Sequence, residues 1–127
     1  MTLIISIIPK ENSIINAQAL EDRLPAPHTN LFGMESWRYE IWGHDVLRNL
    51  GCSMLASLKT TNIYAFDEEL DALRTELEII QTQHQYIAAQ MGLDEQQTTA
   101  ILERVKNALA MLHLVDSERS SVGIAIE

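Results

Sequence analysis

The chain is 127 residues long, 46% hydrophobic and 21% charged, the length and balance of one globular domain rather than a disordered segment. Its formal net charge of −9 repels phosphate, so nucleic acid and an anionic membrane leaflet are disfavoured as partners, whereas a basic protein is not. A single cysteine, Cys52, excludes an internal disulfide and suits a reducing compartment.

Residues 1–127 therefore read as a single domain. Leu3–Ile8 (LIISII) is a largely β-branched run ended by Pro9, the pattern of a buried strand. It has no basic residue before it and is too short for a signal-peptide core, and no apolar run nears the roughly 18–20 residues that span a bilayer. The expectation is a soluble, cytoplasmic protein. Ser13 is placed to cap a short helix carrying Ile14, Ile15, Ala17, Leu20 and Leu24, which Pro25 ends. The segment Pro25–Met34, with two prolines and a glycine, reads as a loop.

Ser36 is the expected N-cap of a helix over about 36–50, with Gly51 just past its end. Trp37, Ile41, Trp42, Val46, Leu47 and Leu50 form its apolar stripe, which Gly43 interrupts. Cys52–Leu58 and Ile63–Phe66 are short apolar pieces around a polar turn, compatible with a hairpin or with irregular packing.

The second half of the chain is better specified. Phe66, Leu70, Leu73, Leu77, Ile80, His84, Ile87 and Met91 step by four and three, a heptad seam whose only polar member is His84. Such a stripe packs best on another helix, and it predicts a helix over about 67–91 with Asp67 as its cap. Gly92 ends this helix, with Leu93 placed for the apolar contact of a Schellman stop. Asp94 and Gln97 form a capping box for a second helix to about 113, striped by Ile101, Leu102, Val105, Ala108, Leu109 and Leu112. So short a connection folds the two into an antiparallel αα-hairpin. Val122, Ile124 and Ile126 alternate as a terminal strand able to pair with Leu3–Ile8. The class is α+β, mostly helical: a hairpin of about 67–91 and 94–113, a further helix, and a small sheet from the terminal strands.

Chemistry-bearing residues are sparse. Glu40 and His44, at i, i+4 on one expected helix, form the orienting half of a general base or two metal ligands, with His28 as a candidate third group. This supports one alternative function, a small hydrolase or metal-dependent enzyme; the competing reading is a solvated ion pair. No cofactor or metal is expected, because no third ligand stands at a recognisable spacing and HExxH, CxxC, GxGxxG and P-loop motifs are missing. His84 fits a core-edge histidine, a register-setting polar residue or a pH switch. Hairpin geometry separates it from His113 by roughly 18 Å, too far for a shared metal. Cys52 follows an expected helix C-terminus, the wrong end to activate a thiolate, and reads as a buried apolar residue.

Charge is lopsided. Residues 1–61 hold six acids and five bases, whereas residues 62–127 hold twelve and four. Glu68, Glu69, Asp71, Glu76 and Glu78 lie on the long helix, and Ala72, Ile79 and Tyr86 recur every seven residues as a second apolar line. The acids read either as a solvated face or as a recognition surface. The functional expectation is a non-catalytic interaction protein: a homodimer, or a binder or inhibitor of a basic protein. Glu68, Glu69, Asp71, Glu76, Ile79 and Tyr86 are its candidate partner-binding residues.

Overall fold

The structure, a computed structural model, describes every residue from Met1 to Glu127. The LIISII run lies within β1 (Thr2–Pro9), where Leu3, Ile5 and Ile7 are buried and Ile4, Ser6 and Ile8 half-buried. β4 (Val122–Ile126) pairs antiparallel with it, from Ile5 opposite Ile126 to Pro9 opposite Val122, as the two apolar patterns require. Two short strands complete the sheet in the order β2-β1-β4-β3: β2 (Leu31–Met34) on β1 and β3 (Ile63–Ala65) on β4. Beyond the reach of β2, the Ile7 amide donates to Glu21 Oε2 at 3.2 Å, from helix α1 (Ala17–Glu21).

The first half departs from expectation in three places. The 25–34 segment is not all loop, because its end forms β2. Gly33 sits there at φ 104° under the Trp37 ring, a conformation and a closeness that a Cβ would obstruct. Helix α1 begins later than Ser13 proposes: Asn16 Oδ1 accepts from the Ala19 amide at 3.1 Å, whereas Ser13 Oγ reaches only the Ile15 amide. The expected 36–50 helix is divided into a π-helical turn, Arg38–Trp42, and α2 (Asp45–Asn49). Gly43 lies between them, pressed by the Arg38 carbonyl and the Lys59 side chain, so the chain turns where only a glycine fits. Helix α3 (Ser53–Ala56) and a 3₁₀ turn, Ser57–Lys59, follow, so the 52–66 region is not a hairpin.

The heptad seam is buried as expected: Leu70, Leu73, Leu77, Ile80 and Ile87 are all core. Its helix is not continuous. Gln83, at φ −102° and ψ 15°, divides it into α4 (Glu68–Thr82) and α5 (His84–Met91), with His84 Nδ1 2.8 Å from the Gln81 carbonyl beside the break. Gly92 is left-handed at φ 67°, and the Leu93 amide reaches back to Ala88 O at 2.9 Å. The Asp94–Gln97 capping box is formed in both directions, at 2.7 and 3.0 Å, and opens α6 (Glu95–Asp116). Asp67 does not cap by its side chain. Its Oδ1 accepts from Lys10 Nζ at 2.6 Å, while Glu69 Oε1 accepts from the Phe66 amide.

Trp42 is fully buried, stacked on Phe32 with ring centroids 4.3 Å apart, and its indole N–H donates to the Phe32 carbonyl at 3.1 Å. No helix is long and apolar enough to cross a membrane.

Candidate functional site

The break at Gly43 separates Glu40 and His44 onto different elements. Glu40 is exposed in the π-helical turn. His44 is the N-cap of α2, and its Nδ1 accepts from the Val46 amide at 3.1 Å, so that nitrogen serves the backbone. His28 lies in a groove between the 27–31 loop and α6, beside Arg104 and Lys106. The three do not converge, and no group of three or more His, Cys, Asp or Glu side chains is placed to hold a metal.

Cys52 is fully buried, as its apolar neighbours imply, although it precedes α3 rather than merely following α2. Burial foremost, with the nearby Glu76 charge, pushes its thiol up to about 12, which leaves essentially no thiolate at neutral pH. Glu76 itself overturns an expectation. Instead of lining an exposed acidic face it is 6% exposed, and its carboxylate accepts from the Leu55 amide at 2.8 Å and the Met54 amide at 3.0 Å. A side chain from α4 thus supplies the acceptors that the first turn of α3 lacks. Desolvation raises its pKa above the ordinary carboxylate value, and the two amide hydrogen bonds oppose that rise. A heptad position alone gave no sign that a distant helix N-terminus would meet this glutamate.

The remaining acids at the start of α4 are exposed but largely answered. Arg119 Nη1 and Nη2 grip both oxygens of Asp71 at 2.9 Å, and Nη2 also reaches the Asp67 carbonyl. Arg74 grips Asp116 at 2.8 and 2.9 Å, and Lys10 holds Asp67. The Asp71 pKa falls, first through its hydrogen bond from Arg119 and then through the Arg119 and Arg74 charges. Glu68 and Glu78 form no ion pair. The second apolar line is not one line either: the Gln83 break falls between Ile79 and Tyr86, and Ile79 packs half-buried against the core while Ala72 and Tyr86 are exposed.

Other exposed apolar side chains border a hydrogen-bonded network centred on Arg38. Arg38 Nη1 donates to the carbonyls of Leu58 and Thr61 at 3.1 and 3.0 Å, its Nη2 donates to Asn62 Oδ1 at 2.6 Å, and its Nε pairs with Glu35. Asn62 donates on to the Tyr64 hydroxyl at 3.3 Å, which donates to Glu127 Oε2 at 2.8 Å. Four of the six large exposed apolar side chains border this network. Tyr39 adjoins Arg38, Met34 adjoins Glu35, the Met1 carbonyl accepts from the Glu35 amide at 2.9 Å, and Tyr64 is in the network itself. The sequence scatters these residues over positions 1–127, so no local pattern announces them.

Compared with family models, curated proteins and solved structures, the chain finds no match.

Proposed function

We propose that the protein works without catalysis, through protein–protein contact, and that its primary partner is a second copy of itself. One observation carries the reading: Met1, Met34, Tyr39 and Tyr64 are all more than half exposed around a hydrogen-bonded frame centred on Arg38. Aromatic, Met and Arg side chains are the residues that enrich interface centres, and a frame that fixes their backbone lowers the ordering cost of association. Charge permits a second copy. The Arg38 surface holds one guanidinium, already paired with Glu35, beside the Glu127 carboxylate, so it carries little net charge and two copies can meet there about a two-fold axis without strong repulsion. The acid-rich start of α4 cannot do this in a chain of net charge −9. A basic partner is less well supported, since Lys10 and Arg119 already answer Asp67 and Asp71. The cytoplasm read from the sequence fits a lone, buried, unpaired thiol.

Sedimentation equilibrium over a range of protein concentrations tests the proposal. The expected outcome is a reversible monomer–dimer equilibrium that weakens little with salt, because the contact is mainly apolar. A monomer at the highest attainable concentration refutes self-association. A dimer that dissociates steeply with salt refutes the apolar surface as its basis.

A further inference from the structure

Nine lysine and arginine side chains are set among eighteen acids, and five of the nine (Lys10, Arg38, Arg48, Arg74 and Arg119) are committed to ion pairs. Of the four left over, Arg104 and Lys106 line one groove of 430 Å³, shared with His28. Arg104 enters no ion pair, and its Nε is buried without a hydrogen-bond partner, the only such side-chain atom in the molecule. Buried donors are satisfied in nine cases of ten or more, and a charged one left alone is costly. The groove wall is built rather than incidental. Asn107, one turn beyond Arg104 and 5% exposed, accepts from the Thr29 amide at 3.1 Å and donates to Thr29 Oγ1 and the Leu31 carbonyl at 3.2 and 3.0 Å. Its amide thereby pins the loop that carries His28 against the face that carries Arg104.

The geometry points to a binding site for a compact oxyanion, a phosphate or carboxylate group, in the groove between the 27–31 loop and α6. Arg104 supplies a planar guanidinium fork, Lys106 a second charge, and His28 a ring N–H, the donor set suited to such groups. Glu103 also lines the groove and offsets one of its two cations, so the site remains net positive in a strongly acidic chain. Asn107 is a positioning residue: it holds the loop and has no donor left for a ligand. The site is independent of the self-association proposed above.

Inorganic phosphate and, separately, acetate are titrated into the ¹⁵N-labelled full chain at constant ionic strength. The expected result is a saturable shift of the Arg104 side-chain N–H and of the Thr29 and Lys106 amides. Saturation by phosphate alone, by acetate alone or by both supports the site and tells which group it takes. Arg104→Met and Lys106→Met each weaken binding by about tenfold or more, the loss expected for a charge-assisted contact, and Glu103→Gln tightens it. Arg23→Met and Lys59→Met, at the two other free cations, leave it unchanged. Shifts that never saturate with either anion, or that survive in both the Arg104 and Lys106 variants, overturn the proposal. Two variants keep the test decisive if one of them fails to fold.

Discussion

Glu76 is the side chain on which burial, hydrogen bonding and charge meet most directly. Replacing it with alanine leaves the Met54 and Leu55 amides without an acceptor, and each buried orphan costs about 1–3 kcal/mol. Glu76→Ala is therefore expected to lower unfolding stability by several times the effect of Glu78→Ala on the exposed side of the same helix, read by urea denaturation. Its pH dependence has a definite sign. A carboxyl whose folded pKa is raised holds its proton more tightly in the folded state, so its penalty is full above the folded pKa and fades as pH falls towards the ordinary glutamate value of 4.5. The wild type should gain stability relative to Glu76→Gln on acidification from neutral pH, and a pH-independent difference would show that desolvation does not govern this group. Asp71 works in the opposite direction: its folded pKa is depressed, so the Arg119 contact contributes above the unfolded value of 3.8 and is lost as pH falls through the folded one. Asp71→Asn should flatten that acid limb.

At the scale of elements, Leu77→Ala is expected to cost about 2–5 kcal/mol, because Leu77 is fully buried where α4 packs in the core. Hydrogen exchange should separate the two halves of the former seam. Helix α4 buries Leu70, Leu73, Leu77 and Ile80, whereas α5 buries Ile87 alone, so α5 amides should open and exchange well before those of α4. Equal protection across Gln83 would mean that the two helices behave as one rod. What was legible in the sequence follows a physical division. Seam burial, the Gly92 stop, the Asp94–Gln97 box and the β1–β4 pairing are local or periodic signals, and each is present in the structure. Features decided by tertiary contact left no local trace. The π-helical turn depends on Arg38 reaching Leu58, Thr61 and Asn62; β2 depends on β1 across a loop; the role of Glu76 depends on a helix more than twenty residues earlier in the chain. Glu40 and His44 illustrate the same limit, since their i, i+4 spacing carries meaning only on an unbroken helix, and Gly43 breaks it.

Several of the reactive side chains are in structural service, while four of the six large exposed apolar side chains border the Arg38 network. His44 caps a helix, Glu76 caps another, and Cys52 is buried as a neutral thiol, whereas Met34, Tyr39 and Tyr64 stand exposed around Arg38. That contrast is the basis for proposing contact, rather than chemistry, as the work of the protein. Sedimentation velocity of Met34→Glu and Tyr39→Glu beside Tyr86→Glu tests it most directly, because all three substitutions are at exposed positions and spare the core. The expected outcome is a dimeric wild type, a shift to monomer in the Met34 and Tyr39 variants with unchanged circular dichroism, and an unaltered dimer in the Tyr86 variant. A wild type that is monomeric at high concentration, or a dimer lost only when Tyr86 is changed, would contradict it.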